Sequence, residues 1–139
     1  MLAVPSSWLM NSALAAGASP RHLQEELLPL LVGADPAPDL ASRTLALADA
    51  VGAPTLRAQL ELQSTRVDER PGLAAARVPC TVVAAAEDRI CPLERHTEIH
   101  DLAAGSELVV VPGAPHLVAL THPDQVAEAA RGWLRRVDG

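Results

Sequence analysis

Apolar positions follow two regimes along the chain. From Leu23 to about Leu60 they recur at steps of three and four, the spacing that puts side chains on one helix face. Leu23, Leu27, Leu30 and Leu31 make the first such stripe. Ser19-Pro20 stands ahead of it as a helix start, with Ser as the cap and Pro at the first helical position. Pro29 is expected to kink or end this helix. Residues 33–38 read as a loop. Asp39 can cap a second helix with Leu40, Leu47 and Val51 on its apolar face, closed by Gly52. Pro54 opens a third, carrying Leu56 and Leu60. Residues 66–72 are polar and turn-rich, and residues 73–76 form a short apolar turn.

At Cys80 the regime changes. Residues 80–86 are a continuous small and β-branched run, and residues 107–111 are another. Runs of this kind suit strands buried on both faces. Between them residues 93–103 have helical spacing, ended by Gly105. A last helix is expected to start at residues 121–123, with Thr121 and Asp124 at capping-box spacing. Its apolar face is Val126, Ala130, Trp133, Leu134 and Val137. Two strands joined through a helix must run parallel. The chain therefore reads as α/β, with a helical segment over residues 1–77 and a β-α-β-α unit over residues 78–139. Two parallel strands are too few for an independent sheet, so open strand edges are expected, and with them self-association through an edge.

Composition narrows the function. At 139 residues the chain suits one domain or part of a larger one. It is 49% apolar with Trp8 and Trp133 as its only aromatics, so the core must be aliphatic. The net charge of −6 and the lack of a basic cluster argue against nucleic-acid binding. No apolar run approaches the roughly 18 residues of a membrane span. Residues 1–14 are apolar without a basic residue ahead of them, a poor match to a secretory signal. A strand between Cys80 and Cys91 would hold their Cα atoms roughly 20 Å apart, far beyond the ~7 Å limit for a bridge. Two reduced thiols in a cytoplasmic protein are expected.

The candidate chemistry lies where the strand runs end. Asp88 follows the first run and His116 the second, 28 positions on, within Pro112-Gly113-Ala114-Pro115-His116. Ligands bind outside the carboxyl ends of parallel strands. An Asp that accepts from His Nδ1–H fixes the tautomer and leaves Nε2 as a base. On spacing alone, Asp88 could equally cap the next helix or pair with Arg89, and His116 could be an ordinary loop residue. Other groups carry less. His96 and His100 have the i, i+4 spacing of metal ligands, but a solvated helix face explains them as well. His122 before Pro123 fits a helix junction. Ser6 and Ser7 lack a strained turn to present a hydroxyl. Trp8, Leu28, Leu31, Leu56 and Leu60 could line an acyl pocket or simply form a core.

From about Leu23 to Leu134 the sequence resembles the C-terminal half of α/β-hydrolase-fold enzymes of the esterase and enol-lactonase type. The resemblance rests on residues 78–83, on Glu87-Asp88-Arg89-Ile90-Cys91-Pro92, on residues 108–116, and on His122-Pro123-Asp124-Gln125-Val126. It implies a partial α/β-hydrolase fold with a helical cap over residues 20–76. It also implies Asp88 as the acid and His116 as the base of a Ser-His-Asp apparatus, no metal or organic cofactor, and a small apolar ester or lactone as substrate once an N-terminal half completes the site. The chain departs from the pattern in several ways: the family's first five or six strands and its oxyanion loop have no counterpart, and the first strand run ends Ala84-Ala85-Ala86-Glu87-Asp88 where a Gly is common. Pro115 stands where Gly is usual, and no G-x-S-x-G nucleophile turn occurs among the 139 residues. The chain alone is therefore expected to be inactive. Either it supplies the acid and base of an ester or lactone hydrolase, or it is a non-catalytic remnant or interaction module of the same fold.

Overall fold

The computed structural model describes residues 13–138, so Ser6, Ser7 and Trp8 lie outside the described residues. The described residues form two compact units: residues 13–29 with 33–67, and Leu30–Val32 with residues 68–138.

The first unit is helical. Helix α1 spans Pro20–Val32, and the Ser19 hydroxyl accepts from the His22 N–H at 3.1 Å, the cap expected from Ser-Pro. Pro29 lies inside the helix, so of the kink or end expected there the end does not occur. The cost of its missing N–H is offset by the next three residues. Leu30, Leu31 and Val32 are all buried, and each such side chain contributes about 1.5–3 kcal/mol when removed from water. Gly33, at φ 95°, turns the chain away.

Helix α2 spans Pro38–Ser64. Asp39 is not its cap. Pro38 takes the first helical position, so Ala37 becomes the cap residue and Asp39 pairs with Arg43 at 3.1 Å instead. The two helices expected on either side of Gly52 form one span broken there, where Gly52 adopts φ 70° and ψ 162°. Leu14, Leu23 and Leu60 form the core of this unit, with Ala18, Ala53 and Leu56 against them. Leu60 thus belongs to a core, and Leu56 lines two shallow hollows of about 500 and 150 Å3.

The second unit carries the sheet. The polar stretch and apolar turn ahead of it condense into a short helix, α3 (Arg70–Ala75). Strand β1 (Thr81–Ala85), helix α4 (Leu93–Leu102) and strand β2 (Glu107–Val111) follow. The strands are parallel, in register from Thr81 opposite Glu107 to Ala85 opposite Val111. Helix α5 (Val118–Thr121) and helix α6 (Pro123–Asp138) close the unit. Thr121 ends α5 rather than capping α6, and its hydroxyl donates back to the Leu117 carbonyl. The α6 indole of Trp133 donates to the Pro79 carbonyl at 2.9 Å, and Arg136 pairs with Glu107 at 2.6 Å. Both contacts fasten α6 to the entrance of the strands.

Ala85, Val111 and Ala114 are the core of this unit, with Val83 and Val118 packed on them. Strand β1 is largely buried, with Thr81 and Val83 half-buried. Strand β2 is not: only Val111 is buried, and Val110 is 40% exposed. Both faces of β2 were expected to be covered. Among the described residues the sheet has two strands, so β2 has a hydrogen-bonded neighbour on one side only. No helix among the described residues is long and apolar enough to cross a membrane.

Candidate active site

The turn after β1 is built around Asp88. Its carboxylate is 4% exposed. Oδ1 accepts from the backbone N–H groups of Ile90 and Cys91, each at 2.8 Å. These bonds fold the chain back before Pro92 and leave Oδ2 facing the other strand end. An Asp that binds the N–H two residues on makes a self-contained turn. The Asp88-Arg89-Ile90 spacing could have announced it, and the sequence reading passed it over.

The loop after β2 brings the partner. Ala86 N–H donates to Val111 O at 3.0 Å, and Glu87 N–H to Ala114 O at 2.9 Å. The two strand ends are therefore tied together just before each functional side chain. His116 N–H donates to Leu30 O at 3.4 Å and Leu117 N–H to Leu31 O at 2.8 Å. A helix end leaves its last carbonyls without intrahelical partners, and here the final turn of α1 spends two of them on the His loop. No local sequence signal announces that support.

The result is a His116 Nδ1 to Asp88 Oδ2 distance of 2.8 Å. The imidazole is 28% exposed while the carboxylate is buried. A buried carboxylate accepts, so Nδ1 carries the hydrogen and Nε2 is left with its lone pair. Burial pushes the Asp88 carboxyl up, but the hydrogen bonds from Cys91 N–H, His116 and Ile90 N–H outweigh it and hold it below the ordinary carboxylate value. Asp88 is thus an ionised acceptor at neutral pH.

Cys91 adjoins the pair. One donor atom from each of Asp88, Cys91 and His116 lies within 4.8 Å of the others. Burial and the Asp88 charge raise the Cys91 thiol above its ordinary value. Both cysteines are free.

The remaining candidates are placed elsewhere. His96 Nδ1 sits 3.3 Å from the Pro92 carbonyl, and His100 Nδ1 2.8 Å from the Ser106 hydroxyl. Each is occupied within its own helix or at that helix's end. His122 follows α5, with Nδ1 2.9 Å from the Thr121 hydroxyl, and its carbonyl accepts from Val126 N–H. A hollow of about 820 Å3 lies between α3 and α4 and includes Arg70, Leu93, Thr97 and Asp101 but neither Asp88 nor His116.

Comparison with known proteins agrees with this architecture. The profile of the Alpha/beta hydrolase family matches residues 2–129, and the chain belongs to that family. Among solved structures it is similar to a thermophilic esterase from Thermogutta terrifontis, in a malate-bound form, at 24% identity and a TM-score of 0.84. That match covers 97% of this chain and 52% of the esterase chain. It is also similar to Est816, described as an N-acyl homoserine lactone degrading enzyme, at 18% identity and a TM-score of 0.63, over 94% of this chain and 51% of the other. The chain spans about half the length of these relatives. No curated protein matches it.

Proposed function

We propose that this chain supplies the acid–base part of a hydrolase acting on a small apolar ester or lactone. Asp88 orients His116, and His116 Nε2 takes the proton of a serine hydroxyl. The observation that carries the reading is the buried Asp88 carboxylate 2.8 Å from His116 Nδ1 at the carboxyl ends of two parallel strands. The pair performs only half the chemistry. Acyl transfer also needs a nucleophile and donors for the oxyanion, and these terms dominate the rate. The 139 residues contain no G-x-S-x-G turn, so both must come from protein outside them, in the same polypeptide or in a partner.

The test uses p-nitrophenyl butyrate and a fluorophosphonate probe. The chain alone should show no burst of product and no labelling. Joined to, or mixed with, a polypeptide carrying the nucleophile turn, it should gain esterase activity. His116→Gln should then remove that activity by about 10³-fold or more. Activity unchanged by His116→Gln would refute the base assignment.

A second reading, a non-catalytic interaction module, is favoured by one observation. Val110 is 40% exposed in the middle of an apolar strand, as on a surface built to receive another chain. If a nucleophile-bearing partner binds tightly but no activity appears, this second reading holds instead.

A further inference from the structure

We propose that Asp88, Cys91 and His116 form a three-donor site for a thiophilic divalent cation of the zinc type. The three side chains offer a carboxylate oxygen, a thiol and a ring nitrogen, all within 4.8 Å of one another. Among the described residues this is where three such donors converge. The donor set is a mixed O, S, N set of the kind zinc accepts, and the sulfur favours zinc over the hard cations.

The arrangement follows from the turn and not from accidental proximity on a surface. Asp88 Oδ1 holds the Cys91 N–H at 2.8 Å, which curls residues 88–91 and returns the thiol toward the carboxylate. Oδ2 is directed to His116 Nδ1 at 2.8 Å. The candidate ligand atoms are Oδ2, Nδ1 and Sγ, with the hydrogen bond between the first two giving way when a cation binds. Bonds of about 2.0–2.3 Å in a tetrahedral site put donors about 3.3–3.7 Å apart. The Oδ2–Nδ1 separation, now 2.8 Å, must open by less than about 1 Å, and the sulfur, no more than 4.8 Å from either atom, must close by about 1.5 Å at most. Cys91 is exposed, so a cation can enter and water can fill the fourth position.

Binding is balanced by one released proton. The Cys91 thiol loses its proton to solvent and binds as thiolate. The Nδ1 hydrogen of the neutral imidazole passes through water to Nε2, and Nδ1 binds the cation. Asp88 binds as the carboxylate it already is. The tautomer with hydrogen on Nε2 can no longer accept a proton there, so the cation also switches off His116 as a base. That consequence rests on the reading given under Proposed function, whereas the cation site itself does not.

Cobalt(II) titration of the purified, chelator-treated chain tests the site. One equivalent should bind with a thiolate-to-cobalt charge-transfer band in the near ultraviolet. Cys91→Ser should abolish the band, and it should leave the fold intact because the side chain is exposed. His116→Gln and Asp88→Asn should each weaken binding at least ten-fold, while Cys80→Ser and a His96→Ala/His100→Ala double variant should bind as the parent. No charge-transfer band at saturating cobalt would overturn the proposal. So would a band that survives Cys91→Ser, or parental affinity in both His116→Gln and Asp88→Asn. If the base assignment alone is wrong, ester turnover becomes insensitive to His116 and the cobalt titration is unaffected.

Discussion

Asp88 does two jobs with its two oxygens. Oδ1 closes the turn through Ile90 and Cys91, and Oδ2 holds the His116 ring. Removing it should therefore cost stability as well as orientation. Asp88→Ala strands two backbone donors and should lower stability by about 1–3 kcal/mol in a denaturant titration. Asp88→Asn keeps an oxygen for the turn and should cost less. Its amide must donate toward Nδ1, so His116 should switch to the Nε2–H tautomer, readable in a long-range nitrogen–proton NMR spectrum. The pH dependence has a definite sign. The folded protein holds the Asp88 carboxyl below its ordinary value of 3.8, so the unfolded state binds the proton more readily. The stabilisation is fully present above that ordinary value and is lost as pH falls through the lower folded one. In metal-free protein, the protection factors of the Ile90 and Cys91 amides, taken relative to the intrinsic exchange rate at each pH, should fall across that acid window and stay flat from pH 5 to 7.

At the scale of elements, the backbone exceptions are the informative positions. Gly52 sits at φ 70° and ψ 162° inside α2, a region that essentially only glycine occupies. Gly52→Ala should lower the thermal stability of the helical unit by about 1–3 kcal/mol, seen as a lower melting temperature by circular dichroism. The break at Gly52 was legible because glycine followed by Pro54 is strong local punctuation. The Ser19-Pro20 start, both strands and α4 were legible for the same reason: period and caps are local properties. Whether the helix runs on past Pro29 was not legible, because Leu30, Leu31 and Val32 beyond it are buried and local pattern does not contain that burial. Asp39 misled because Pro38 competes for the start of the same helix. The site divides in the same way. The meeting of Asp88 and His116 was legible from where the strand runs end. The Cys91 thiol is brought beside Asp88 by the local turn of residues 88–91, whereas the α1 carbonyls that hold the His loop depend on long-range folding and leave no trace in spacing.

For the whole molecule, the sheet is the decisive feature. Strands β1 and β2 pair only with each other among the described residues. Each therefore presents one edge with unpaired backbone groups, and β2 adds the exposed Val110. Water can satisfy those backbone groups, so the edge itself need not unfold the unit. Apolar side chains beside an open edge nevertheless favour pairing with another strand. This chain spans about half the length of the solved structures it resembles, and we propose a strand-bearing polypeptide as the occupant of that edge. When that polypeptide is absent, a second copy is the available substitute. Sedimentation should show association that grows with concentration, and hydrogen exchange should show residues 107–111 gaining protection as it does. Val110→Arg puts a charge at the apolar edge and should return the chain to monomer without loss of helical signal, since that side chain supports little of the core. A monomer at high concentration in the parent protein, with β2 amides already protected, would show that the edge is closed by something other than another chain.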